Sequence, residues 1–302
     1  MNEPYPRIRV RAENGVLLLR EAVCICFYLH HHHAQVCHPV LRSLEAYRKA
    51  VGPNALALYA TEDAWAPLDS QGWEHVRSEV LAPWGARVML RGPPGPGEGY
   101  SFDYCGKPVG EPSVRRFPGT VCALQFWLPT EFLEEHGPER VHALALELAE
   151  PLPYCSGHAG LAFQGDWNLL GVTQEVQRYC FLYPGLDIVP LERLSRQLGT
   201  RVRGPAWMTF LGSPVLGALG NTAGLRARLS SPGTSVQSLD AGRAVVTLGE
   251  RPEAGDTRHP PTLPSYRELA RVLEPWTYFE EQISDPDFPH DSRLRWERRF
   301  LD

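Results

Sequence analysis

No apolar run in the chain approaches the roughly 20 residues needed to span a bilayer. The best, Val16 to Leu29, is broken by Arg20 and Glu21. A transmembrane anchor is therefore not expected. The first residues carry Arg7, Arg9 and Arg11, but Glu13 and Asn14 follow and no small-residue cleavage site closes an apolar core, so they do not read as a secretory leader. Seven cysteines scattered over 302 residues lack the density of a disulfide-stapled secreted domain and read as reduced thiols. The expectation is a cytoplasmic protein. An excess of positive charge is missing too: the formal net charge is -5, which argues against a broad nucleic-acid or anionic-lipid surface and favours a basic partner.

Reaction-centre motifs are equally scarce. There is no HExxH and no Walker lysine. Gly92, Gly95, Gly97 and Gly99 imitate a phosphate-cradling loop, but Pro93, Pro94 and Pro96 remove the backbone donors such a loop requires, so the stretch reads as a turn. Cys24, Cys26, His30 to His33, Cys37 and His38 offer zinc-ligand types at a spacing that does not converge, since four consecutive histidines point in alternating directions. No metal and no cofactor are expected. Cys155 and His158 are three apart, with neither a glycine elbow nor a local carboxylate to orient the imidazole. A Cys/His-dependent enzyme or metal-binding protein is the alternative they leave open, and a scaffold domain is a third.

What is present is a core and an alternating pattern. With 43% hydrophobic residues the chain can bury a large interior. Val16 to Leu29 reads as a buried strand or hairpin, followed by a helix with Pro39 in its first turn and a short strand at Ala55 to Ala60. A helix at Trp73 to Leu81 and strands at Arg87 to Leu90 and Tyr100 to Tyr104 come next. From Val121 a similar order restarts: strand Val121 to Leu128, helix Pro138 to Leu148, strand Leu161 to Gln164, helix Leu191 to Leu198, strand Trp207 to Leu211, and a hairpin at Ser235 to Leu239 and Ala244 to Leu248. Either an internal duplication of a strand-helix-strand-helix-strand-strand unit or ordinary alternation gives this pattern. Both lead to an α+β fold, with a mixed, largely antiparallel sheet and helices packed on it. The expected parts are an N-terminal half (1–115), a C-terminal half (116–250), and a tail helix with a C-terminal extension (251–302).

Three acidic, aromatic stretches are the candidate binding elements. Glu62, Asp63 and Trp65 follow the strand ending at Ala60, and Asp166, Trp167 and Asn168 follow the strand ending at Gln164. If the halves match, these two loops share one end of the sheet. The third runs from Trp276 to Asp287 and includes Glu280 and Glu281. Tryptophan beside carboxylates suits an interface with a basic surface, whereas each taken alone is also what a solvated loop looks like.

The runs YCSGHAGLAFQ from Tyr154, RYCFLYPGLDI from Arg178 and GPAWMTFLG from Gly204 resemble the bacterial type VI immunity family. The likeness extends roughly from the first strand to the tail helix. It is carried by Gly157, Gly160, Tyr183, Gly185, Asp187, Gly204 and Trp207, which read as turn, packing and strand-end residues. The family's members are proposed to neutralise nuclease effectors of the VRR-NUC type delivered by type VI secretion. The resemblance implies a cytoplasmic, non-enzymatic protein that binds a cognate toxin and blocks its active site or nucleic-acid groove. It transfers no binding residue. The acidic loops, Glu62, Asp63, Trp65, Asp166, Trp167, Asn168, Glu280 and Glu281, are then the candidate toxin-binding residues.

Overall fold

The run LLLREAVCICFYL forms a 13-residue strand because its odd positions (Val23, Ile25, Phe27, Leu29) and even positions (Ala22, Cys24, Cys26, Tyr28) are both apolar, and both are buried. A strand apolar on both sides belongs in the middle of a covered sheet. The computed structural model describes residues 5–94, 98–167, 169, 171–260, 262–280 and 286–302. In it this strand is central to a single sheet of eleven strands. They are β1 (Arg9–Arg11), β2 (Leu17–Leu29), β3 (Leu58–Ala60), β4 (Trp65–Pro67), β5 (Ala86–Arg91), β6 (Ser101–Gly106), β7 (Cys122–Pro129), β8 (Ser156–Gly165), β9 (Met208–Leu211), β10 (Thr234–Ser238) and β11 (Ala244–Leu248). The order is β10-β11-β9-β8-β2-β7-β6-β5-β3-β4, with β1 beside the start of β2. Every strand pairing is antiparallel.

The helices are α1 (His33–Val51), α2 (Ser70–Val80), α3 (Thr130–Ala149), α4 (Val172–Cys180), α5 (Leu191–Gln197), α6 (Val215–Ala218), α7 (Asn221–Arg226), α8 (Pro264–Leu273) and α9 (His290–Glu297). On the first sheet face, α1 and α3 bury Val36, Val40, Leu44, Val141, Leu144 and Leu148 against Val23, Ile25 and Phe27. The Tyr47 hydroxyl of α1 donates to the carbonyl of Trp127 at 2.6 Å, fixing the helix over the strand. On the second face, α5 packs against β6 and β7. There Leu191, Leu194 and Leu198, with Tyr278 from the tail, cover Cys24, Cys26, Ala123 and Trp127.

Several boundaries differ from the pattern reading, each for a local reason. Helix α1 starts six residues before Pro39: the His32 ring accepts from Ala34 N, and the Gln35 side chain accepts from His32 N, a capping box built on histidine. Pro39 therefore lies inside the helix. Helix α3 begins at Thr130 and is kinked at Gly137 (φ 79°), with Pro138 opening its second segment. Strand β8 starts at Ser156, although glycine is a poor strand former. A Cβ on Gly157 would lie 2.6 Å from the Phe27 ring and 2.8 Å from the Cys26 carbonyl oxygen, so glycine is what allows the two central strands to close. Arg20 and Glu21, which interrupt the apolar run, are buried and matched: Arg20 pairs with Glu131, and Glu21 with Arg9 and, at 2.9 Å, the Thr130 hydroxyl.

Strands β2 and β7 pair at the centre. Outward from β7 lie β6, β5, β3 and β4; outward from β2 lie β8, β9, β11 and β10. Element order is similar in the two halves, but the second strand of the first half (β3) lies near an edge while that of the second (β8) is next to the centre.

Candidate functional site

The β3–β4 hairpin is closed by a four-residue turn in which Thr61 N donates to the Ala64 carbonyl at 2.8 Å and the Thr61 hydroxyl to the same oxygen at 2.9 Å. Glu62 and Asp63 occupy the two middle positions and are exposed. Trp65, paired with Ala60, is 44% exposed, with the Arg91 guanidinium 5.5 Å from its ring centroid. Arg91 is held in turn by Asp103 at 3.0 Å, and Asp103, 3% exposed, also accepts from Gln125 Nε2 at 3.0 Å. A polar chain thus crosses the second face from β7 to the outermost strand and ends under an exposed indole.

The second acidic loop is elsewhere. Between β3 and β8 lie five consecutive antiparallel pairings, so the two strands run in opposite directions and their C-terminal ends are at opposite ends of the sheet. The expectation that Glu62, Asp63 and Trp65 share an end with Asp166 and Trp167 is therefore corrected by the parity of the strand count. Asp166 is exposed, Trp167 is half-buried against the main core, and Asn168 lies outside the described residues.

Glu280 is not on a solvated loop. It is 5% exposed, its Oε1 lies 3.0 Å from Arg193 Nε, and its backbone N–H donates to Glu297 Oε2 at 2.8 Å. Burial raises its carboxyl above the ordinary range, with Arg193 opposing. It is a packing residue under the tail, because the acidic composition of the segment conceals a basic pocket beneath it. Glu281 lies outside the described residues.

That pocket is a cluster the sequence reading missed. Arg203 Nη1 lies 3.3 Å from Glu297 Oε1, Arg299 Nη2 is 3.5 Å from Asp187 Oδ1, and Arg299 Nε donates to the Pro184 carbonyl at 2.6 Å. Together they fasten α9 to the Tyr183–Asp187 turn. The only signal available was Asp187 within the YPGLD run. Gly185 in that run is required by close approach: its N–H donates to Ala254 O at 2.7 Å, and a Cβ would lie 2.1 Å from the Glu253 carbonyl oxygen.

His158 faces this cluster, with Nε2 3.7 Å from Asp187 Oδ2 and, among the described residues, no hydrogen-bond partner for either ring nitrogen. Burial lowers its pKa to about 4, Asp187 opposing and Arg203 and Arg299 adding to the shift. The unfolded chain, with histidine near 6.5, binds the proton more readily, so this contribution is fully present above about pH 6.5 and is lost as pH falls toward 4. Between pH 7.5 and 5 the folded state is expected to lose roughly 2 kcal/mol through this group. Urea unfolding of the protein and of His158→Asn at both pH values checks it: the variant should lose most of that difference.

The Cys155 thiol donates to the Tyr28 carbonyl at 3.1 Å, and burial pushes its pKa up to about 11. Among the described residues no hydrogen bond reaches either His158 nitrogen, and the Cys155 thiol is directed to the Tyr28 carbonyl, so thiol and imidazole are not joined as a nucleophile and base pair in this arrangement. Cys155 borders a cleft of about 590 Å³ lined also by His30, His31, Tyr154, Pro214 and Arg243. The histidine run diverges: His30 and His31 are exposed, His32 caps α1, and His33 Nδ1 lies 2.7 Å from the Tyr104 hydroxyl. Among the described residues no group of three or more His, Cys, Asp or Glu side chains is placed to hold a metal ion. No described helix is long and apolar enough to cross a membrane.

Comparison with solved structures finds the same architecture in the Pseudomonas aeruginosa T6SS protein PA0821, with a TM-score of 0.80 and 16% identity over 99% of this chain and 88% of that one. At that identity the likeness is one of fold. No curated protein matches the sequence. The family model described as type VI immunity for VRR-NUC matches residues 39–300, from within α1 through α9, and so takes in β3 to β11 but not β1 or the central β2. The chain belongs to that type VI immunity family, TsiV.

Proposed function

We propose that this immunity protein neutralises a nucleic-acid-cleaving toxin of the VRR-NUC type by binding it in the cytoplasm and covering the basic surface on which the toxin holds its substrate. Membership of the family over residues 39–300 is the observation that carries the reading. The net charge of -5 supports it, because a competitor for a phosphate-binding groove offers carboxylates where the nucleic acid offers phosphates. The action is stoichiometric binding, without catalysis and without a cofactor. The Cys155 and His158 alternative gains no support from a protonated thiol and an imidazole that do not hydrogen-bond to each other.

The exposed Glu62–Asp63–Trp65 hairpin retains the properties of a contact element, whereas Glu280 is enclosed. Asp166 and Trp167, at the far end of the sheet, belong to a separate surface. The experiment is inhibition: the cognate nuclease of the VRR-NUC type, purified and given duplex DNA, is expected to lose activity in proportion to added protein and to be silent at about one equivalent when both are well above Kd. Undiminished cleavage at a large excess removes the reading.

A further inference from the structure

We infer that the uncovered outer part of the second sheet face, on β3, β4 and β5, is the docking surface for the toxin, with Trp65 as its anchor; this rests on the reading just proposed. The two faces of this part of the sheet are treated differently. On the first, α2 packs on β5 and buries Val88 and Leu90. On the second, α5 packs over β6 and β7, and register places Leu58, Ala60, Trp65, Pro67 and Met89 outside that cover. Leu58, Ala60 and Met89 are half-exposed, and Trp65 and Pro67 exposed. Trp65 is one of three large exposed aromatic residues among those described, and the only one of them lying on a strand.

Charge names the occupant. No lysine or arginine occurs between Lys49 and Arg77, while Glu62 and Asp63, at the tip of the β3–β4 hairpin, are exposed. The two arginines that lie on this face each have a carboxylate partner: Arg91 is held by the buried Asp103 at 3.0 Å, and the exposed Arg87 lies 3.9 Å from the exposed Glu192. With both arginines partnered, the two exposed carboxylates at the hairpin tip stand beside an apolar patch, a combination that complements a basic surface. The buried Gln125 and Asp103 hold the half-exposed Arg91 guanidinium beside the indole before any partner arrives. An anchor ordered in advance loses little side-chain entropy on binding, and central tryptophans of this kind dominate interface energies.

The test measures binding of the purified chain to the purified nuclease of the VRR-NUC type that it inhibits, at low and high salt. Trp65→Ala is expected to weaken Kd by about 30-fold or more, chiefly through faster dissociation. Glu62→Lys with Asp63→Lys is expected to slow association by about tenfold at low salt and by much less at 0.5 M. Leu169→Ala, at the opposite end of the sheet and 39% exposed, should bind within about twofold of the unchanged chain. These positions are exposed, and a thermal midpoint like that of the unchanged chain confirms that each variant is folded. If the unchanged chain binds and both the Trp65 and the Glu62/Asp63 variants bind equally well, the docking surface is overturned while the immunity reading stands. If the unchanged chain itself does not bind, the proposed function fails and the docking surface with it.

Discussion

Residues 1–115 and 116–302, produced as separate chains, are expected to aggregate or stay unfolded, and to give a folded product only when coexpressed. The reason is an exchange at the centre of the sheet. β2 comes from the first half but lies between β7 and β8 of the second, through eight register pairs with β7 and ten with β8. β7 comes from the second half but lies between β2 and β6 of the first. Each fragment alone keeps its most apolar strand with both long edges exposed or wrongly paired, a template for aggregation. The first fragment also loses α3, against which α1 packs and whose Leu148 carbonyl accepts the Ser43 hydroxyl at 2.8 Å. Solubility and far-UV circular dichroism of the two fragments, alone and together, decide it. A 1–115 fragment that is soluble and unfolds cooperatively contradicts the expectation.

Asp187→Ala is expected to cost about 3–5 kcal/mol, the typical loss when one partner of a buried charge pair is removed. Against a typical total of about 5–15 kcal/mol that is a large fraction of stability. Three effects coincide. Arg299 loses its carboxylate at 3.5 Å, Arg203 is left with Glu297, and the Ile188 N–H loses the Asp187 oxygen at 2.8 Å. Burial disfavours the Arg203 charge while Asp187 and Glu297 favour it, so removing Asp187 leaves an enclosed guanidinium with less to offset its burial. Asp187→Asn, able to accept from Ile188 N, should lose less. Urea unfolding at pH 7.5 measures both variants. A loss below 1 kcal/mol for alanine would mean that water reaches the cluster freely.

Much of the architecture was legible because it is written in short-range pattern. The double-sided apolar run of β2, the runs at β7 and β8, and the hairpin at β10 and β11 are strands for reasons visible within a dozen residues. Helix α1 was misplaced at its start because a histidine cap is uncommon beside the usual Ser, Thr, Asp and Asn. Helix α4 has no strong short-range signal, because the apolar positions that it buries, Val172, Val176 and Cys180, are few. Strand order was not legible at all, since pairing partners are set by non-local packing. Which end of the sheet a loop occupies depends on that order. The Glu62 and Asp166 loops look equivalent in the chain, and an odd number of antiparallel steps separates them. Glu280 shows the same limitation in charge: its neighbour Arg193 lies in α5, and nothing near residue 280 announces it. Asp187 was noticed for its place in a family motif, while its partners Arg203 and Arg299 carry no motif.

The central claim is that protein and nucleic acid compete for one surface of the toxin. A fluorescent DNA duplex bound to a cleavage-dead form of the VRR-NUC-type nuclease, titrated with this chain, measures it most directly. The account predicts full displacement of the duplex, with an apparent inhibition constant that rises in proportion to DNA concentration. A stable ternary complex of nuclease, duplex and this chain, with no loss of DNA signal at saturation, would contradict it.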